Sequence, residues 1–374
     1  MNSTHYVDLF DAQIREVFRA ALKASLHNPV QALFFGRTVT AQRQAARRRQ
    51  TWEAKGLHVP PLLIASITGK CNLRCKGCYA HGQRWASRTE MSIERWQELI
   101  AEAQELGISL VMIAGGEPLT RPEILDVTRN FSRIVFPLFT NGTLLDQKLI
   151  LGIEHQHHVI PIISLEGFEF QTDERRGKGV YDRLQMVFGR LRGSDLFFGV
   201  SLTITRCNFQ TLTGEEFFKT MHHAGARLFI YVEYAPIDET TAGLTLTPEQ
   251  KLELEQRKSD FQRKFGGVVI GFPGDEEQYG GCLAAGRGFV HIGPDGSLEP
   301  CPFAPFSDEN VRERPLREAL QSVFLGRIRD GHDRLKETSS GCALWANRQW
   351  VRSLLAQSAL QSETWRQGSS DSEP

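Results

Sequence analysis

The chain has 374 residues, 41% hydrophobic and 24% charged, with 44 Lys and Arg against 44 Asp and Glu. That length suits one large domain with a smaller companion and a sizeable core, and the even charge points to no polyanionic partner, so no nucleic acid is expected. No run of eighteen apolar residues occurs, which excludes a hydropathic spanning helix, and Met1-Asn2-Ser3-Thr4-His5 lacks the basic-then-apolar order of a signal peptide, so a cytoplasmic location is expected.

Residues 1–58 read as an N-terminal helical segment. Phe10, Ile14, Val17, Phe18, Ala21 and Leu22 recur at helical spacing, and Asn28-Pro29 interrupts the pattern. Positions 1–50 carry eight Arg and Lys against three acidic residues, a net of +5. Two readings are open: a helical collar packed on the next domain, or an amphipathic, membrane-peripheral surface in contact with anionic lipid.

Residues 59–240 alternate strands and helices. Strands are expected at 62–68, 110–114, 134–139, 159–165, 196–205 and 228–234. Helices are expected at 94–106, 122–131, from 144, 181–191 and 215–225, with Gly107 capping the first of these. Six strands separated by helices imply parallel pairing through right-handed crossovers. Near-continuous apolar runs such as Val159-Ile160-Pro161-Ile162-Ile163 fit a sheet covered on its outer face. The pattern alone allows a curved (β/α)6 barrel or a flat doubly wound sheet. A linking helix follows over 241–266, then a small α+β region at 267–357 with a turn at Pro294-Asp295-Gly296. The Ser-, Gln- and Glu-rich tail, 358–374, is expected to be disordered.

Seven cysteines are an odd number, and three fall within eight residues, so thiols available for metal fit better than a disulfide framework. Cys71-Asn72-Leu73-Arg74-Cys75-Lys76-Gly77-Cys78-Tyr79 follows the first expected strand. Three thiolates at this spacing suit one face of a cubane cluster, leaving a fourth iron without a protein ligand. Structural zinc is the competing reading, but it wants four ligands in paired units.

With this triplet, and with Gly115-Gly116-Glu117-Pro118 after the second strand, the chain resembles the radical S-adenosylmethionine (SAM) superfamily. The resemblance runs through about 61–240 and implies a partial (β/α)6 barrel. It also implies a [4Fe–4S] cluster on Cys71, Cys75 and Cys78 that chelates SAM and cleaves it reductively to a 5′-deoxyadenosyl radical. Tyr79 matches the aromatic near the adenine, and Gly115, Gly116, Glu117 and Pro118 match the segment that binds the SAM amino group. Glycines permit close backbone approach, and Glu117 can accept from an ammonium. Asn141, Ser164 and Glu166 resemble segments that bond the ribose and methionine portion, and Arg176 one that pairs with the carboxylate. Each of these four is equally an ordinary turn or ion-pair residue.

Cys282, Gly296 and Cys301 give C-x13-G-x4-C, with Cys342 later. This is similar to the opening of SPASM and Twitch extensions, and implies one auxiliary [4Fe–4S] cluster on Cys282, Cys301 and Cys342. Trp345 stands where relatives add a further Cys, so the fourth ligand stays open, with His291 conceivable; structural zinc remains the alternative for this trio. Cys207 reads as a small buried hydrophobe on the fifth strand.

The function implied is an oxidoreductase-type radical enzyme that abstracts a hydrogen atom from a peptide or protein, or from a lipid or cofactor. A reducing donor such as flavodoxin or ferredoxin would supply the electron. The non-enzymatic alternative is an iron–sulfur electron carrier or scaffold, which would need no SAM-binding segment.

Overall fold

The computed structural model describes residues 3–83, 85, 88–272, 279–335 and 342–368. Two helices, α1 (Ser3–Ala24) and α2 (Pro29–Glu53), form an antiparallel hairpin. Asn28 caps the second, its side-chain oxygen accepting from the amides of Val30 and Gln31, while Pro29 takes the first helical position. Inside the hairpin the buried Arg49 guanidinium donates to Asp11 and to the Gly107 carbonyl. Burial raises the Asp11 pKa and Arg49 opposes that rise.

The strands are β1 (Leu62–Thr68), β2 (Leu110–Gly115), β3 (Phe136–Thr140), β4 (Val159–Leu165), β5 (Gly199–Ile204), β6 (Leu228–Glu233), β7 (Val268–Phe272), β8 (Phe289–Ile292), β9 (Ser297–Glu299) and β10 (Glu309–Asn310). They form one sheet in the order β10-β9-β8-β1-β2-β3-β4-β5-β6-β7. Every pair from β8 through β1 to β7 is parallel. The sheet is curved but not closed, an open relative of the expected barrel. It has more strands than the six expected, because β7 and β8 come from beyond residue 240 and extend both flanks. Short strands are expected in the α+β region after residue 266, but nothing in their sequence shows that two of them join the main sheet.

Helices cover the convex face. In α4 (Ile93–Leu106) the buried Trp96, Leu99, Ile100 and Ala103 recur at helical spacing, and Gly107 ends the helix with φ +96°. Fully burying one such side chain is worth about 1.5–3 kcal/mol. The concave face is floored by α1. Ile14, Phe18 and Ala21 pack with Phe35, Phe197, Leu228, Ile230 and Val268 at the N-terminal ends of the strands. Ile14, Phe18 and Ala21 of the apolar stripe are therefore buried inside the protein, while Leu9, Leu26, Val30 and Leu33 of the same segment are exposed. No helix among the described residues is long and apolar enough to cross a membrane.

Two further expectations are corrected. A helix runs from Arg348 to Gly368, into the stretch expected to be disordered; it holds strong helix formers and no proline. Cys207 lies past the end of β5 and is exposed.

Candidate functional site

The triplet occupies the loop leaving the C-terminal end of β1, and the short helix α3 (Tyr79–Gly82) follows it. The β1–β2 register shifts between Ser66 and Thr68, which re-aims the strand end. Glu90 then fixes that end, accepting from Thr68 Oγ1 at 2.7 Å and the Gly69 amide at 2.9 Å. Arg121 donates to the Ile67 carbonyl at 2.7 Å. No motif signalled either residue.

Gly115 and Gly116 lie across this root. The Gly116 amide donates to Thr68 O and the Glu117 amide to Lys70 O, both at 2.8 Å. Gly115 has φ +125°; a Cβ there would stand 2.4 Å from Thr68 O, and one on Gly116 2.1 Å from Lys70 O. The glycines thus let the second loop lie directly on the cysteine loop.

Glu117 departs from its expected role. It is fully buried, and its oxygens accept from the Leu119 amide at 3.0 Å, Thr140 Oγ1 at 2.7 Å and the Asn141 amide at 2.7 Å. Burial raises its pKa against those bonds. It ties the ends of β2 and β3 together instead of facing a ligand. Pro118 is also buried, opening a single 3-10 turn over Pro118–Thr120. Asn141 reaches the triplet, its amide donating to Asn72 Oδ1 at 2.8 Å and lying 3.8 Å from Cys71 Sγ.

Glu166 is buried and held by two arginines: Arg175 at 3.0 Å, and Arg176 through Nε at 2.5 Å and Nη2 at 2.7 Å. Burial works against the Arg176 charge, but Glu166 and the nearby Cys75 and Cys78 sulfurs outweigh it and raise the pKa. Arg176 is thus already paired by the protein. Arg175, beside Arg176 and without a motif to signal it, accepts from the Lys76 amide of the cysteine loop through its carbonyl and donates from Nε to the Lys76 carbonyl.

Cys71, Cys75, Cys78, Tyr79, Gly115, Gly116, Asn141, Ser164 and Arg176 all line one cavity of about 490 Å³, which continues down the concave face to α1. Glu117, Pro118, Glu166, Cys282, Cys301 and Cys342 do not line it. Ser201 and Thr203, the inward polar positions of β5, do, as does His81; alternation along Val200-Ser201-Leu202-Thr203 was the available signal. Burial raises the Cys71 pKa to about 11, against a bond from the Leu73 amide, and burial raises Cys75 as well.

The second cysteine set lies beside this mouth. Cys282, Cys301 and Cys342 are buried and not in disulfides. The Cys282 amide donates to Leu335 O at 2.9 Å, and the Ala285 amide to Pro300 O at 3.0 Å, which sets the first two cysteine segments side by side. Cys342 caps the turn Ala343–Ala346. Tyr79 joins the two regions: its ring meets Phe303 edge-on at 5.1 Å and Trp85 at 5.3 Å. Burial raises its pKa, with the Cys78 and Cys301 sulfurs adding to the effect. His291 is not poised as a ligand. Its Nδ1 bonds Glu299 and its Nε2 bonds Ser66, each at 2.8 Å, under a stacked Trp85. Among the described residues no three His, Cys, Asp or Glu side chains stand as the ligands of one metal ion would.

Comparison with known proteins agrees with this geometry. The chain is 26% identical over 302 residues to the AdoMet-dependent heme synthase of Methanosarcina barkeri, covering 73% of this chain and 86% of that protein. It is 24% identical over 298 residues to the PqqA peptide cyclase of Gluconobacter oxydans, covering 76% and 83%. In fold it is similar to Streptococcus suis SuiB bound to its precursor peptide SuiA, with TM-score 0.63 and 17% identity over 83% of this chain and 75% of that one. It is also similar to anSMEcpe with bound AdoMet, at TM-score 0.55 and 16% identity over 70% and 80%. The profile of the Radical SAM superfamily matches residues 65–233, so this stretch is a radical SAM domain; members of that superfamily bind a [4Fe–4S] cluster and SAM.

Proposed function

We propose that this chain is a radical SAM enzyme whose Cys71, Cys75 and Cys78 hold the SAM-binding [4Fe–4S] cluster, and which abstracts a hydrogen atom from a substrate in the cavity beneath. The observation that carries the reading is one cavity lined by all three thiols together with Gly115, Gly116, Asn141, Ser164 and Arg176. The donor set fits: three soft sulfurs on one loop suit iron–sulfur ligation, and hydroxyl, amide and guanidinium groups surround them. When bound, the cluster and SAM supply one-electron cleavage of a carbon–sulfur bond.

The chain's own residues do the rest. Glu90, Arg121 and Asn141 hold the loop that presents the thiols, Glu90 and Arg121 at its root on β1 and Asn141 at Asn72. The Glu166 carboxylate is shared by Arg175 and Arg176, holding both at the rim of the cavity and leaving one net positive charge there. Tyr79, edge-on to Trp85 and Phe303, offers a rigid aromatic wall suited to an adenine. Cys282, Cys301 and Cys342 are assigned an auxiliary [4Fe–4S] cluster, consistent with their burial near the mouth. A peptide, a lipid or a cofactor is the substrate class at this level, and a flavodoxin- or ferredoxin-type protein the electron donor.

Anaerobic reconstitution with iron and sulfide, then dithionite and SAM, tests the proposal. 5′-Deoxyadenosine should form in the wild type and be absent when all three loop cysteines are Ala. An intact cluster signal without 5′-deoxyadenosine would leave an electron carrier instead.

A further inference from the structure

The cavity changes character along its length. Near the cysteines it presents hydroxyls on Ser164, Ser201 and Thr203. Below them the inward positions of successive strands are apolar. Met112, Pro137, Phe139, Val232, Ile270 and Phe272 are only half-buried although their strands lie within the sheet or at its helix-covered flank. A sheet whose outer face is packed and whose inner face shows a continuous half-open apolar surface has an unfilled apolar interior.

The charged side chains lining this cavity among the described residues are few. Arg175 and Arg176 are bound by Glu166, and Glu16, out on the floor helix, is paired with Arg19. The strands' own amides and carbonyls are committed to one another in the parallel ladder. A peptide backbone drawn into the lower cavity would leave its N–H and C=O groups without partners. A porphyrin's carboxylates would find no uncommitted cation there.

The lower end is not sealed. Gln13 and Glu16 of α1 and Gln262 of the helix Pro248–Phe265 line the cavity and are exposed, so it opens to solvent between α1 and the β7 flank. Above that opening the gap between β7 and β8 is bridged by Phe272 against Phe289 at 5.5 Å.

From these features we infer that the substrate is a hydrocarbon chain, of isoprenoid or acyl type, entering beside α1 and reaching the cysteine end with its apolar length in the cavity. The inference rests on the radical SAM reading for its chemistry. One hydrogen atom passes from a substrate C–H to the 5′ carbon of the deoxyadenosyl radical, giving 5′-deoxyadenosine and a carbon-centred substrate radical; SAM and a one-electron reductant supply that oxidant.

Binding needs neither cofactor, so it is tested first. All-trans-retinol, a fluorescent isoprenoid alcohol, is titrated into the purified chain, and hexadecanol and a mixed-sequence decapeptide compete against it. Retinol should bind and be displaced by hexadecanol but not by the peptide. Ile230→Trp, at a strand side chain that lines the lower cavity, should weaken binding by about tenfold or more. Val17→Trp, at the floor, serves should that variant not fold. Leu33→Gln, on an exposed apolar patch of α2, should leave binding unchanged. In the reconstituted enzyme, perdeuterated hexadecanol should pass deuterium into 5′-deoxyadenosine. Absence of retinol binding, indifference to the cavity variants, loss in Leu33→Gln, or deuterium transfer from a peptide alone overturns the inference. SAM cleavage by dithionite without substrate reports on the underlying reading separately, and its survival confines the failure to the substrate class.

Discussion

The two cysteine sets are built in opposite ways. Cys71, Cys75 and Cys78 sit on one loop, half-buried at a cavity mouth, and are held from outside by Glu90, Arg121, Asn141 and the neighbouring glycine loop. Cys282, Cys301 and Cys342 are each under a tenth exposed, come from three separate segments, and belong to the hydrophobic core. A loop-borne set has its spacing written in the chain and can be altered with little cost to the fold. A core-borne set owes its arrangement to everything packed around it.

The strongest way to break that contrast is the replacement of Cys71, Cys75 and Cys78 together by Ala. About eight irons are expected per reconstituted wild-type chain, four for each cubane. The triple variant should keep roughly four of them, and a reducible paramagnetic signal, while 5′-deoxyadenosine falls to background. Zinc in place of the residual iron after anaerobic purification would overturn the auxiliary-cluster assignment.

Next in size is the support beneath the first set. Glu166→Gln leaves Arg175 and Arg176 partly buried without their carboxylate, a loss of about 3–5 kcal/mol in denaturant unfolding. A change under 1 kcal/mol would mean the arginines find water instead. Gly116→Val drives a Cβ to within 2.1 Å of Lys70 O, so the two loops must part. It should cost about 3 kcal/mol and lower iron at the first set while sparing the second.

The smallest effect compares the sets directly in the metal-free chain. Cys282→Ala removes a buried sulfur and should cost about 1 kcal/mol, whereas Cys71→Ala should stay within about 0.5 kcal/mol. Equal values in thermal melts would erase the distinction between loop and core.

The same distinction explains what the sequence disclosed. The triplet was legible because its ligands are local, and the parallel core because apolar strands and capped helices such as Ile93–Leu106 carry their own signals. A motif names Glu117 and Glu166 without saying which way their side chains turn. Both carboxylates point inward, to amides or to arginines, and only the three-dimensional neighbours decide that. Glu90 and Arg121 gave no signal, since the groups they hold at the end of β1 lie 21 and 54 residues away in the chain. The place of β8 in the sheet was hidden for a related reason: a strand of four residues shows where it belongs only through the partner it finds.

That partner is β1, and the pairing has a consequence for how the protein is made. β1 finishes at Thr68, but its second neighbour begins at Phe289, about 220 residues later. At ~5–20 residues per second the ribosome needs on the order of 10–45 s to cover that distance. Throughout it, β1 presents one unpaired edge, the kind of surface that invites pairing with other chains. The strand that carries the cysteine loop is thus the last of the central strands to be enclosed. Stable seating of the loop, and of whatever it binds, waits until Phe289–Ile292 has emerged and taken its place. Truncation before that segment would yield a chain that keeps the whole triplet and leaves its root exposed.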